Sequence, residues 1–245
     1  PEEQVLDPDG TSAPHRLQKA IHAVAGIEAD LTKNLELNVE PYFKKYLQLI
    51  QINRNKLDPQ DPDFVTEKGK AYGIDLTLRY ETKRLFLWGT YSHAYVNRDD
   101  GEQEYPTIFD RRHNVNLLAT YQFGKNANWE AAARWNLGSG FPFTLTQGFY
   151  NQFNFNGLDD DPLTGNGDLG VVLDEKRNGG RLPYYHRLDV SLKKTWKFGQ
   201  HTSLEAVASA TNLYNRENIF YYDRVRNARV NQLPILPSLG ITINF

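Results

Sequence analysis

Side chains along this chain alternate between apolar and polar over long runs, and that period of two constrains the fold more than any other feature. In Leu239-Gly240-Ile241-Thr242-Ile243-Asn244-Phe245 every odd position is apolar. The same holds for Val115 through Phe123, and Trp129 through Leu137 repeats it with tryptophans near both ends. Tyr72, Ile74, Leu76, Leu78 and Tyr80 share one parity; Gly73, Asp75, Thr77, Arg79 and Glu81 share the other. Leu188, Val190, Leu192, Trp196 and Phe198 are likewise set against Arg187, Asp189, Ser191, Lys193, Thr195 and Lys197. Successive strand residues point to opposite faces, so these segments are predicted strands with one apolar and one polar face.

Two architectures use such strands. A soluble sandwich packs the apolar faces together. A membrane barrel turns them to lipid and encloses the polar faces around a wet lumen. Three features favour the barrel. The runs are about 11 to 16 residues long, beyond the five or six usual in soluble sheets. Aromatics gather toward run ends, as in Tyr72 with Tyr80, Trp129 with Trp135 and Tyr121 with Phe123. Connections alternate between very short and long. Nine strands are predicted, at 18–32, 35–50, 70–82, 84–97, 112–124, 128–138, 186–198, 202–213 and 235–245. Turns at 32–34, 82–83, 124–127 and 199–201 alternate with long connections at 51–69, 98–111, 139–185 and 214–234. Outer-membrane barrels place short turns in the periplasm and long loops outside. Residues 1–17 are then an extracellular lead-in, and Phe245 ends in the periplasm.

Composition agrees. The 245 residues carry 28 Lys plus Arg against 30 Asp plus Glu, a net charge of −2, which argues against a nucleic-acid partner. There is no cysteine, hence no disulfide or thiolate chemistry within the chain. Aromatics reach 13% while mean hydropathy is −0.62, as expected of strands that are half apolar and half wet. No apolar run reaches the length of a membrane helix. Nine antiparallel strands cannot close as an even-numbered bacterial barrel, and open edges cannot face lipid. The chain is therefore expected to be the C-terminal part of a larger barrel, or to pair with another polypeptide.

The residues resemble the C-terminal half of a TonB-dependent outer-membrane receptor, closest to those with an N-terminal carboxypeptidase-regulatory-like domain. The resemblance is carried by Lys19–Ala23 with Ala25–Glu28, Leu37–Lys45, Ala71–Asp75, Phe109-Asp110-Arg111-Arg112-His113-Asn114-Val115, Gly138-Ser139-Gly140-Phe141-Pro142, Arg181–Asp189, Asn212-Leu213-Tyr214-Asn215-Arg216-Glu217-Asn218 and Leu236–Leu239 running to Phe245. It implies an all-β, antiparallel transmembrane barrel of 22 strands, of which this chain holds about nine. It also implies a plug domain, uptake of a scarce ligand energised by the TonB complex, and a Gram-negative outer membrane. The partners implied are the remaining N-terminal strands and plug, the TonB complex acting through the plug region, the barrel-assembly machinery and outer-membrane lipid.

Candidate site residues follow from local chemistry. The terminal alternating strand ending in Phe245 resembles an assembly signal; the ordinary reading is a last strand of a sheet. Phe141, Phe143, Phe149, Tyr150, Phe153 and Phe155 are loop aromatics that either contact a ligand or pack the loop on itself. Asp159, Asp161 and Asp168 are candidates for Ca²⁺, a hard cation wanting oxygen ligands, although the spacing is not that of an EF-hand and a solvated acidic loop is the ordinary reading. Asp110, Arg111, Arg112 and His113 are expected to form loop-anchoring ion pairs, not acid–base machinery. Lumen-facing charges such as Glu40, Asp75, Arg79, Glu130, Arg134 and Asp189 are expected to meet a plug. No cofactor and no catalytic residue is predicted, so the chain is read as a non-enzyme. The alternative to transport is a structural barrel scaffold within a larger assembly.

Overall fold

The computed structural model describes residues 5–6, 17–54, 56–151, 169–199 and 202–245. Its strands are β1 (Val5–Leu6), β2 (Lys19–Val24), β3 (Ile27–Thr32), β4 (Leu35–Ile52), β5 (Phe64–Glu81), β6 (Leu85–Asp99), β7 (Glu104–Pro106), β8 (His113–Phe123) and β9 (Trp129–Gly138). They continue as β10 (Pro142–Phe143), β11 (Thr146–Asn151), β12 (Leu169–Leu173), β13 (Gly180–Arg181), β14 (Tyr185–Phe198), β15 (Thr202–Thr211), β16 (Ile219–Asp223), β17 (Ala228–Asn231) and β18 (Leu236–Asn244).

The main sheet runs β18-β15-β14-β9-β8-β6-β5-β4-β2, and β3 shares the β4 edge with β2. These are the nine wall positions expected from the alternation, each antiparallel to its neighbours. Register sorts the side chains into rows. Leu37, Leu78, Gly89, Leu117, Trp135 and Leu188 stand opposite one another across six strands on one face. One residue along, Asn38, Thr77, Thr90, Asn116, Asn136 and Arg187 form the matching row on the other face. Asn136 Nδ2 donates to Asn116 Oδ1 at 2.5 Å, and Asn116 Nδ2 donates to Thr90 Oγ1 at 3.2 Å. A one-residue slip would exchange the two rows, so the pattern pins the register.

Burial is inverted relative to a soluble domain. The apolar core holds Leu49, Ala71 and Tyr105, whereas Glu67, Asp110 and Asn212 are the largest fully buried side chains. Along β18, Leu239, Ile241 and Ile243 are 87%, 75% and 61% exposed. No second apolar layer covers these faces among the described residues, the arrangement expected of a wall whose apolar rows meet lipid.

Aromatic rings bound the apolar band. At the short-turn end, Tyr121 and Phe123 stack at 6.0 Å, Phe123 and Trp129 stack at 6.0 Å, and Lys194 Nζ lies 4.2 Å from the Trp129 ring. At the other end, Tyr72 stacks on Tyr95 at 5.0 Å and His93 on His113 at 4.9 Å, while Tyr91 OH and His113 Nδ1 share a 2.9 Å hydrogen bond. His113 and Phe123 are ten residues apart on β8, about 33 Å along a strand and about 25 Å in height at a barrel tilt near 40°. That is the height of an outer-membrane apolar band.

The strand expected over 18–32 is divided into β2 and β3. Ala25 N–H donates to Pro41 O at 3.2 Å, but the reciprocal bond needs an N–H that Pro41 lacks. The long strands also outrun their expected ends. β4 reaches Ile52 and β5 begins at Phe64, so the connection expected over 51–69 shrinks to 53–63. A bulge between Tyr46 and Leu49 inverts the parity there and breaks the alternation that marks a strand. β7 folds back on β6 inside 98–111, and the pairs β10–β13, β11–β12 and β16–β17 build ladders within the two longest connections.

The sheet stays open. β18 at one end and β2 with β3 at the other are not paired to each other among the described residues. Placing a charge on the outward row tests the assigned face. In the full-length protein, Leu117→Arg is expected to cost about 2–4 kcal/mol, as for cations near the bilayer midplane, whereas Asn116→Ser leaves folding near wild type. Urea titration of the protein refolded in vesicles measures both.

Candidate functional site

The long connections meet at one end of the sheet, where buried polar groups replace an apolar core. Asp110 is fully buried, accepts from Val96 N at 2.8 Å and from Arg181 Nη2, and forms an ion pair with Arg112, whose Nε lies 3.1 Å away. Arg181 also donates to Asp110 O and Gly140 O at 3.1 and 3.2 Å. Arg111 takes another role: its guanidinium lies over the Phe141 ring at 4.2 Å. The Gly138-Ser139-Gly140 run makes room for this packing. A Cβ on Gly140 would lie 1.5 Å from Leu182 O, and one on Gly138 would lie 2.4 Å from Arg111 Cζ. The ion pairs expected around Asp110 are present, with His113 hydrogen-bonded to Tyr91.

A second anchor joins the 139–185 connection to the tall β5–β6 ladder. Tyr105 OH donates to Glu67 Oε1 and Oε2 at 2.8 and 2.9 Å. Burial, reinforced by that bond to Glu67, pushes the phenol well above its ordinary range, so it remains a donor. Arg177 lies over the Tyr105 ring at 3.7 Å and pairs with Asp100 at 2.6 Å. Asn178, at φ 53°, donates from Nδ2 to Pro106 O at 2.8 Å. Burial pushes the Asp100 carboxyl up, but hydrogen bonds from Gln103 N, Arg177 and Glu102 N outweigh it and hold the pKa below 3.8.

The Asn212–Asn218 segment fastens the last connection. Asn212 is buried at φ 53°, its N–H donates to Asp189 Oδ1 at 2.9 Å, and its Nδ2 donates to Arg216 O and Leu233 O at 2.9 and 3.1 Å. Asn218 Nδ2 donates to His186 O at 2.9 Å, and His186 N–H donates to Asn218 Oδ1 at 3.2 Å. Short amide side chains thus satisfy backbone groups where the ladder stops, and asparagine tolerates the left-handed backbone these corners use.

Between the β11–β12 and β16–β17 hairpins lies a cavity of about 600 Å³ with walls from Phe143, Phe149, Leu182, Phe220, Tyr221 and Tyr222. Arg224 Nη1 donates to Thr146 Oγ1 at 2.9 Å and ties the two hairpins together. An aromatic recess with an arginine at its side suits a flat or conjugated ligand bearing anionic groups. Of the aromatics singled out in the sequence, Phe143 and Phe149 line this cavity. Phe141 packs under Arg111, and Tyr150 crosses onto Gly170, whose added Cβ would lie 2.3 Å from its ring. Phe153, Phe155, Asp159, Asp161 and Asp168 lie outside the described residues. Phe220, Tyr221 and Tyr222 were not among the sequence candidates, although three consecutive aromatics in a long connection were a visible signal. Phe245 is 99% exposed at the end of β18.

No family model and no curated protein matches the sequence. Solved structures do match in shape. The ferric-catecholate import receptor Fiu from Escherichia coli K12 aligns at 14% identity over 93% of this chain and 28% of its own length, with a TM-score of 0.59. FpvA of Pseudomonas aeruginosa, in complex with pyoverdine and iron, aligns at 12% identity over 100% of this chain and 29% of its own, with a TM-score of 0.63. The copper transporter OprC aligns at 12% identity, 98% and 33% coverage, and a TM-score of 0.58. The fold is that of a segment of an outer-membrane β-barrel wall. The chain spans about a third or less of the length of these structures, and the fold matches the one implied by the resemblance to TonB-dependent receptors.

Two measurements on the full-length protein test the loop anchors. Asp110→Ala leaves Arg112 and Arg181 without their shared acceptor; a local loss of about 1–3 kcal/mol is expected, read as faster tryptic cleavage within 139–185 while the wall stays folded. The Asp100 anchor has a definite pH sign. Its folded pKa lies below the unfolded value, so its contribution is complete above 3.8 and fades as pH falls through the folded value. Pepsin nicking of the same connection, normalised to an unfolded standard, is expected to rise only below about pH 3.8 in wild type.

Proposed function

We propose that this chain is the C-terminal wall of a TonB-dependent receptor in a Gram-negative outer membrane, and that the whole receptor imports a scarce ligand. One observation carries the reading. The nine-position sheet has an outward apolar face, a polar inner face and, among the described residues, two unpaired edges, and 93–100% of the chain aligns in shape with Fiu, FpvA and OprC. The edges call for further strands of the same barrel. The inner row of Asn116, Asn136 and Thr90 offers donors and acceptors to a plug domain, through which the TonB complex would act. The aromatic cavity at the loop end is the proposed first contact for ligand. In this reading the work of the arrangement is binding and passage.

Uptake tests the reading. The full-length protein is expressed in an outer-membrane strain stripped of its own ferric and copper receptors. Uptake of radiolabelled iron from catecholate and hydroxamate siderophores, and of copper, is then measured with and without a protonophore. Energy-dependent accumulation of one of these is expected, and Phe149→Ala with Tyr221→Ala should weaken its binding by about tenfold or more. Accumulation unaffected by the protonophore, or equal in cells lacking the protein, contradicts the proposal.

The proposal includes the assembly signal. Among the described residues β18 pairs with β15 alone, and Phe245 is exposed at its end. Deleting Phe245 is expected to lower the heat-modifiable, membrane-inserted fraction; unchanged insertion would remove that role.

A further inference from the structure

Above the upper belt of rings, on the same outward face, three lysines gather. Lys45 stands directly opposite Lys70 in the β4–β5 register, and Lys68 follows two positions along β5. The row beneath is Phe43, Tyr72 and Tyr95. Like charges directly opposite on adjacent strands repel, so this arrangement is costly unless an anion joins it. Glu104 meets part of the need: Lys70 Nζ and Asn97 Nδ2 donate to its carboxylate at 3.0 and 2.7 Å. Lys45 and Lys68 have no ion-pair partner among the described residues. Asp99 is across from Lys68 in register, but its Oδ1 accepts from Gly101 N at 2.9 Å. These groups border a recess of about 490 Å³, whose apolar side is Phe43 and Leu47, 47% and 41% exposed.

We infer that this recess binds the phosphorylated headgroup of an outer-leaflet glycolipid. Lys45 and Lys68 take the phosphate, and Phe43 with Leu47 lies along the first methylenes of the acyl chains. The inference rests on the barrel reading above, because that reading turns this face toward lipid and sets the lysines just beyond the aromatic girdle, at headgroup height. A soluble ligand arriving at the lumen would meet the opposite face of the sheet. The charge signs, the outward direction and the juxtaposed apolar and cationic walls all suit an amphiphilic anion.

The test uses the full-length protein in detergent, first checked for heat-modifiable migration. Native mass spectrometry then titrates it with diphosphoryl lipid A, with the dephosphorylated form and with inorganic phosphate. Diphosphoryl lipid A is expected to bind wild type, and the K45Q/K68Q variant should bind it about tenfold more weakly or worse. The K45R/K68R variant should retain binding, which separates charge from folding. Equal binding by K45Q/K68Q, or equal binding of the dephosphorylated lipid, overturns the inference. Inorganic phosphate competing as well as the lipid assigns the site to a free anion and likewise overturns it. A folded, heat-modifiable barrel without headgroup selectivity defeats this inference alone; a protein that needs no detergent defeats the barrel reading with it.

Discussion

Inside hydrocarbon a backbone N–H or C=O without a partner costs several kcal/mol, because no water is present to replace the missing bond. Each organising feature of this chain answers to that cost. Long antiparallel ladders satisfy the backbone, and the period of two then decides which side chains meet lipid. The row through Leu78, Leu117 and Leu188 is outward because its neighbour row through Thr77, Asn116 and Arg187 cannot be. The same cost makes open edges at β18 and β2–β3 incompatible with lipid, which is why the proposed reading calls for further strands beside them.

A wall of this kind has no apolar interior to position its loops. Charged and amide groups do that work at the loop end. Asp110, Glu67 and Asn212 are each buried and each gather several donors from segments distant in sequence. Single buried carboxylates joined to arginines are sensitive to the loss of either partner, while the ladders below them are not. The loops can therefore be tightly placed yet remain separable from the stability of the wall. The aromatic cavity depends on this arrangement, since its two hairpins come from connections tens of residues apart.

The wall was legible in the sequence because alternation is a local signal repeated nine times. Its interruptions were not. The division between β2 and β3 originates in Pro41, a residue of the neighbouring strand, and no inspection of residues 18–32 alone exposes it. The last two residues of β4 and the first six of β5 were missed, the latter because the polar run Glu67-Lys68-Gly69 reads as a loop until Glu67 is seen to be buried against Tyr105. Loop aromatics were half legible: composition marks them as packed or binding residues, but only tertiary placement separates Phe149 in the cavity from Phe141 beneath Arg111.

The most direct measurement of the central claim is the environment of alternating positions in a bilayer. Nitroxides are placed singly at Leu78, Thr77, Leu188 and Arg187 of the full-length protein reconstituted in vesicles, on a background whose only cysteine is the labelled one. Collisions with oxygen, which concentrates in hydrocarbon, should be frequent at positions 78 and 188, and collisions with a water-soluble nickel chelate rare there. Positions 77 and 187 should show oxygen collisions markedly less often. Equal accessibility at adjacent residues, or shielding of 78 and 188 from both reagents, would contradict an outward apolar face.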